Sequence, residues 1–143
     1  RKAGRTDLIM RQESDDIAND PRVGLLRLTF DFLIQQQYFG SAATMVAERP
    51  NFVCKISALC GGSDPHWTID SIRPWAEACY SVFGPDRVTL GTNWPVDRLF
   101  GNYADVVGAY HTIFGDLSAA DKSALFYGNA AALYGIALND LTL

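Results

Sequence analysis

The sequence predicts an α/β fold in which parallel strands alternate with crossover helices and the chain ends in helices. Three observations lead there. Short, nearly continuous apolar segments at 29–34, 51–57 and 87–91 are too brief for helices and carry β-favouring residues. Segments with apolar residues at helical spacing separate them. Strands apolar along their whole length belong between helical layers, as in parallel sheets with right-handed crossovers.

Residues 1–20 are polar, with Gly4 and the acidic stretch Glu13-Ser14-Asp15-Asp16, and read as a lead-in with a short strand at 7–11. Asp20-Pro21 marks a boundary, so 21–143 is expected to form the domain. Val23, Leu25, Leu26 and Leu28 make a short apolar helix or turn before the first strand at 29–34. In 35–48, Tyr38, Phe39, Ala42, Met45 and Val46 fall at helical spacing, and Pro50 ends the helix. The second strand, 51–57, runs into a loop at 59–67 that holds the dense turn signal Gly61-Gly62-Ser63-Asp64-Pro65.

The clearest helix is Ile69–Phe83. Ile72, Trp75, Ala76, Cys79, Tyr80 and Phe83 form one apolar stripe. Pro74 belongs in a first turn, which puts the helix start near Asp70. Gly84-Pro85-Asp86 stops it, and the third strand, 87–91, leads into Thr92-Asn93-Trp94-Pro95. Helices follow at 102–114, at 118–127 with Ser118 as N-cap and Asp121 in third position, and at Asn129–Tyr134 with Gly135 as stop. Three or four strands are too few to close a barrel, which takes eight strands and about 250 residues.

With 48% hydrophobic and 20% charged residues over 143 positions, the chain has the composition of one globular domain with a core. No apolar run approaches the ~18 residues needed to cross a bilayer, and the basic, polar start carries the expectation of no signal peptide. Arg1 in place of Met carries the expectation of a piece cut from something longer. The net charge of −4 with scattered basic residues argues against nucleic-acid binding. Cys54, Cys60 and Cys79 are odd in number, lack a CxxC pair and sit among apolar neighbours. They read as reduced, buried thiols of a cytoplasmic protein, neither a disulfide frame nor a zinc site.

Three phrases resemble the amidohydrolase-related family that includes sugar-acid and dicarboxylate lactonases. Asn51-Phe52-Val53-Cys54-Lys55-Ile56-Ser57 is similar to "P-N-V-x-x-K-[LI]-S-G". Phe83-Gly84-Pro85-Asp86-Arg87-Val88-Thr89-Leu90-Gly91-Thr92-Asn93-Trp94-Pro95-Val96 is similar to "F-G-x-x-R-[LV]-x-[FW]-G-S-D-W-P". The tail from Leu117-Ser118 through Tyr127-Gly128-Asn129-Ala130-Ala131 to Tyr134 is similar to "L-S-x-x-[DE]-x-x-x-[IL]-x-x-x-N-A-x-x-x-[YF]". Thr29-Phe30-Asp31-Phe32 resembles an earlier "x-F-D-L" strand. The resemblance spans roughly Pro21 to Ile136. It implies part of a TIM-like (β/α) barrel, with the site at the C-terminal ends of the strands. It also implies hydrolysis of a lactone or related bond by activated water, with a divalent metal such as zinc in the complete enzyme.

The departures from the family are specific. The His-x-His of the family's first strand is missing, and so is the β/α unit with a His-Gly, since Glu48-Arg49-Pro50 passes directly to Asn51. The family's Asp after the last strand corresponds to Asn93, which cannot take up a proton at neutral pH and ligates metal poorly. No metal ligand is therefore expected in this chain, and the missing strands would supply the histidines.

Asn93 either orients a substrate carbonyl or hydroxyl or serves as the turn residue before Trp94-Pro95. Lys55 interrupts an apolar strand, so it either reaches the substrate or pairs with a carboxylate such as Asp31. His66, in a loop on the expected catalytic face, is a candidate acid–base group or a surface residue. Trp94 and Asp97 are candidate substrate contacts, and the alternatives for Asp97 are contact with Arg98 or loop solvation. His111 reads as structural, and Trp75, Tyr80 and Phe83 as core. The function expected is a lactonase-type or amidohydrolase-type hydrolase, inactive as this isolated chain, with a small-molecule lactone or sugar-acid derivative as partner. The rival reading is a non-enzymatic α/β remnant that binds a partner or self-associates as a homo-oligomer through uncovered strand edges.

Overall fold

The computed structural model describes residue 47, residues 52–60 and residues 66–137. The chain forms two compact units, Arg1–Phe52 and Val53–Leu143. In the first, the described residues are Ala47, which is helical, and Phe52. The lead-in, the boundary at Asp20-Pro21, the strand expected at 29–34 and Asp31 lie outside the described residues.

The second unit runs β1 (Cys54–Ile56), α1 (Ile69–Phe83), a 3-10 turn (Pro85–Arg87), β2 (Val88–Leu90), a second 3-10 turn (Val96–Leu99), α2 (Tyr103–Ile113), α3 (Ala119–Ser123), a π turn (Ala124–Gly128) and α4 (Asn129–Tyr134). β1 and β2 are parallel, with Cys54 opposite Val88, Lys55 opposite Thr89 and Ile56 opposite Leu90. The Gly91 N–H extends the ladder to the Ile56 carbonyl at 2.8 Å. A parallel pair needs a long crossover, and α1 supplies it. The expected alternation of strand and helix is present here, with shorter strands than the apolar runs.

α1 begins where its capping pair dictates. Thr68 accepts from the Ser71 backbone N–H, and Ser71 accepts from that of Thr68, so two orphan donors are satisfied reciprocally. This start corrects the placement of Pro74, which lies in the second turn rather than the first. Its missing N–H leaves the Asp70 carbonyl without its helical partner, at a residue exposed to solvent. Ile72, Ala76, Cys79 and Phe83 are buried, while Trp75 and Tyr80 flank the stripe half-buried.

α1 packs against both strands and its buried Cys79 interacts with Cys54, so α1 covers the sheet face that carries Cys54. Strand alternation then puts Ile56, Val88 and Leu90 on that face, and Lys55 and Thr89 on the other. At the end of the chain, Ser118 caps α3 through the Asp121 N–H at 3.1 Å. The single helix expected at 118–127 instead passes into the π turn, which carries the fully buried Leu125. α4 ends at Gly135, left-handed at φ 66°, a conformation that glycine adopts without Cβ strain.

Candidate functional site

Past β2 the chain makes a tight turn. A Cβ on Gly91 would stand 3.0 Å from Ser57 Oγ and 3.2 Å from Ser57 Cβ, so the glycine lets the two strand ends approach without displacing the Ser57 side chain. Asn93 is left-handed at φ 53°, a region in which Asn is among the few residues tolerated. Its carbonyl accepts from the Val96 and Asp97 N–H groups at 2.9 and 3.2 Å, which starts the 3-10 turn. Its side chain donates from Nδ2 to Asp97 Oδ1 at 2.8 Å. The intervening Trp94–Pro95 peptide is cis. From α2, the Tyr110 hydroxyl donates to the Gly91 carbonyl at 3.2 Å and supports the turn from below.

The segment after β1 reaches the same place. Trp67 Nε1 donates to the Phe100 carbonyl at 3.0 Å, and its ring lies against Gly101. The loops that follow the two parallel strands are therefore joined at one rim, at the strands' C-terminal ends. That is the end at which open and closed parallel α/β sheets place their ligands.

The rim rests on a buried, weakly acidic layer. Burial pushes the Cys60 thiol up to about 11, and the Asp97 carboxylate adds to the shift. Burial, helped by Cys60, Asp97 and Cys79, also raises the Tyr110 phenol. Within the Cys54–Cys79 pair, the hydrogen bond to Cys54 and burial hold Cys79 as the protonated donor. Cys60 and Tyr110 thus favour their neutral forms near the Asp97 carboxylate.

The structure distributes the expected site residues unevenly. Asn93 and Asp97 are brought together at the rim. Asp97 corrects the expectation of loop solvation: it is 1% exposed, and its Oδ2 finds no hydrogen-bond partner among the described residues. Lys55 is exposed, and the carboxylate named as its alternative partner, Asp31, lies outside the described residues. Trp94 is 42% exposed and packs edge-on against Tyr103, with ring centroids 5.6 Å apart. His66 is exposed, one residue before Trp67. His111, away from the rim, stacks on Phe126 at 4.4 Å. Sequence reasoning missed Thr89, buried opposite Lys55 with a hydroxyl that has no partner among the described residues, and the Asn93–Asp97 pairing, whose four-residue spacing was its only signal.

Among the described residues no group of three or more His, Cys, Asp and Glu side chains could hold a metal ion. Among the described residues the Asn93 turn offers a carboxamide and one carboxylate already bonded to it, and this donor pair does not make a metal centre. Among those residues, too, no helix is long and apolar enough to cross a membrane.

Comparison with known proteins agrees with this geometry. The family model described as amidohydrolase matches residues 34–136. The chain is 33% identical over 104 residues to an L-fucono-1,5-lactonase of Burkholderia multivorans, across 67% of this chain and 34% of that protein. It is 41% identical over 95 residues to an uncharacterised protein of Sinorhizobium fredii, across 66% of this chain and 32% of the other. An amidohydrolase of B. multivorans, crystallised with bound HEPES, superposes with a TM-score of 0.65 at 28% identity, over 72% of this chain and 39% of that one. A second crystal form of an amidohydrolase from the same organism contains zinc and also superposes with a TM-score of 0.65, at 26% identity over 84% and 40% of the two chains. The chain thus spans about a third of the length of the curated relatives it matches. With the family model covering most of its length, the chain belongs to the amidohydrolase-related, lactonase-like family.

Proposed function

We propose that this chain is the C-terminal part of a (β/α)-barrel hydrolase that opens a lactone or related carbonyl bond with activated water. The observation that carries this reading is the shared rim. Two adjacent parallel strands deliver their following loops to one end, where Trp67 ties them together and Asn93 stands in a left-handed turn. In this reading Asn93 and Asp97 form part of the substrate pocket, with Lys55, Trp94 and the His66 loop around it.

The chain by itself is proposed to have little or no turnover. Asn93 cannot accept a proton as a carboxylate would, and a metal site would need donors beyond the described residues. The test is an assay of the full chain on a panel of sugar-acid lactones, L-fucono-1,5-lactone included, with and without added zinc. Background rates are expected. In parallel, this chain would replace the matching third of the B. multivorans lactonase; a folded chimera that binds lactone supports the pocket, and one that does not removes it. Metal-dependent turnover by the chain alone would overturn the inactivity.

A second reading, self-association, is favoured by the apolar side chains exposed around the rim: Trp94, Val96, Leu99 and Tyr103, with Leu99 75% exposed. Sedimentation separates the two, since a clean monomer at micromolar concentration argues against association.

A further inference from the structure

We propose that Asp97 is a positioning residue that fixes the polarity of the Asn93 amide, so that this point on the rim recognises a hydrogen-bond donor. The ligand class is a polyhydroxylated small molecule, read through one hydroxyl. The ligand part rests on the reading of this rim as the substrate side.

A carboxamide has a donor edge and an acceptor edge, and in many turns either can face outward. Here the choice is forced. Asp97 is an acceptor-only group when ionised, it is 1% exposed, and its Oδ1 lies 2.8 Å from the Asn93 side chain. Only Nδ2 can satisfy it at that distance, because the opposite rotamer would set the amide oxygen against a buried carboxylate. The nitrogen is thereby turned inward. Asn93 Oδ1, on the other edge of the same planar group, makes no hydrogen bond among the described residues and is not among their buried unpartnered atoms.

The backbone enforces the same arrangement. The Asn93 carbonyl accepts from Val96 and Asp97, so Asp97 is bonded to Asn93 through main chain and side chain at once. Such a doubly closed turn leaves the amide little rotational freedom. Asp97 Oδ2 stays buried without a partner among the described residues, an unfavourable arrangement in a turn that needed only structure. An acceptor that cannot take the proton it binds suits recognition of a hydroxyl rather than removal of its proton. It is poorly suited to polarising a carbonyl.

The experiment uses the full chain labelled with nitrogen-15, with the Asn93 side-chain signals assigned by their loss in Asn93→Ala. Without ligand, one Asn93 amide proton should be shifted downfield and slowed in exchange, and Asp97→Ala should remove both effects. Asp97→Asn, of the same shape, keeps an acceptor oxygen but no longer dictates which edge faces it, so it serves if the alanine variant fails to fold. Two probes then separate donor from acceptor recognition: anhydroglucitol, with hydroxyls and no carbonyl, and δ-valerolactone, with a carbonyl and no hydroxyl. The native chain should favour anhydroglucitol at Asn93 by roughly five- to tenfold, the worth of one hydrogen bond, and Asp97→Asn should lose most of that preference. An Asn93 amide indifferent to Asp97 substitution overturns the proposal and leaves the hydrolase reading intact. Equal or stronger response to δ-valerolactone overturns it through the opposite polarity. A shifted amide that answers neither probe overturns the recognition and the reading of this rim as the substrate side together.

Discussion

Asn129 donates its side-chain amide to the carbonyl of Val88 at 2.8 Å and to that of Pro85 at 2.6 Å. One side chain at the start of α4 thus satisfies two acceptors, one at the beginning of β2 and one in the 3-10 turn before it, 41 and 44 residues earlier in the chain. The bond holds the C-terminal helix against the strand whose far end carries the rim. Asn129→Ala should lower stability by about 1–2 kcal/mol by leaving both carbonyls short of a donor. Asn129→Asp should cost more, because a carboxylate cannot donate and sets charge against the two oxygens. Urea denaturation of the two variants measures both effects, and an aspartate variant as stable as the native chain would contradict this role.

Restoring a carboxylate at position 93 should not come free. Asn93→Asp would put two carboxylates where a 2.8 Å hydrogen bond now stands, one of them buried at 1% exposure. Like charges at that distance are tolerated only if one holds a proton. At pH 7 the variant should be less stable than the native chain by roughly 2 kcal/mol. The difference should shrink as pH falls to about 4, because protonation of either group removes the repulsion. Thermal midpoints of both proteins across that range measure it; a deficit that does not change with pH would mean the two side chains are not in contact in the variant.

Much of this architecture is legible in the sequence because it is written in local chemistry. The Ile72–Phe83 stripe, the Ser118 cap and the Gly135 stop each work over a few residues, and each appears where spacing and residue type put it. Parallel pairing of 54–56 with 88–90 also follows from apolar strands separated by a helix. What spacing does not carry is the competition between signals. Pro74 reads as a first-turn residue, yet the reciprocal bonds of Thr68 and Ser71 set the start earlier and push it into the second turn. Asp97 reads as a loop residue in sequence, but the fold buries it to 1% exposure and brings its charge near Cys60 and Tyr110, distant in sequence. Asn93 was legible as a position, but its polarity emerges only once its partner is known.

The thiol beneath the rim predicts an alkaline limit to stability. Burial, then the Asp97 carboxylate, moves Cys60 from its ordinary 9.0 up to about 11 in the fold. The folded state therefore favours the protonated thiol more than the unfolded chain does. The stability this contributes is whole below pH 9 and is lost as pH rises through about 11. Cys60→Ala should flatten the fall between those limits without abolishing it, since Cys79 and Tyr110 are also held protonated. Denaturant midpoints from pH 8 to 11 for the two proteins decide it. An unchanged slope in the alanine variant would show that Cys60 does not titrate with unfolding.

The tie between the two loops can be cut at one atom. Trp67→Phe keeps an aromatic ring against Gly101 but removes the Nε1 donor to the Phe100 carbonyl. The cost should be about 1 kcal/mol, one net hydrogen bond, whereas Trp67→Ala adds the loss of ring packing and should cost more. The effect should also be local. The N–H groups of Val96, Asp97 and Phe100 close the turns at 93–100, and they should exchange faster with solvent once that segment is released. The Gly84 N–H, which bonds Tyr80 at the end of α1, should keep its protection. Site-resolved hydrogen exchange on the phenylalanine variant separates the outcomes. Equal protection at all four amides would mean that the rim is held by the Asn93 and Asp97 turn alone, without the loop that follows β1.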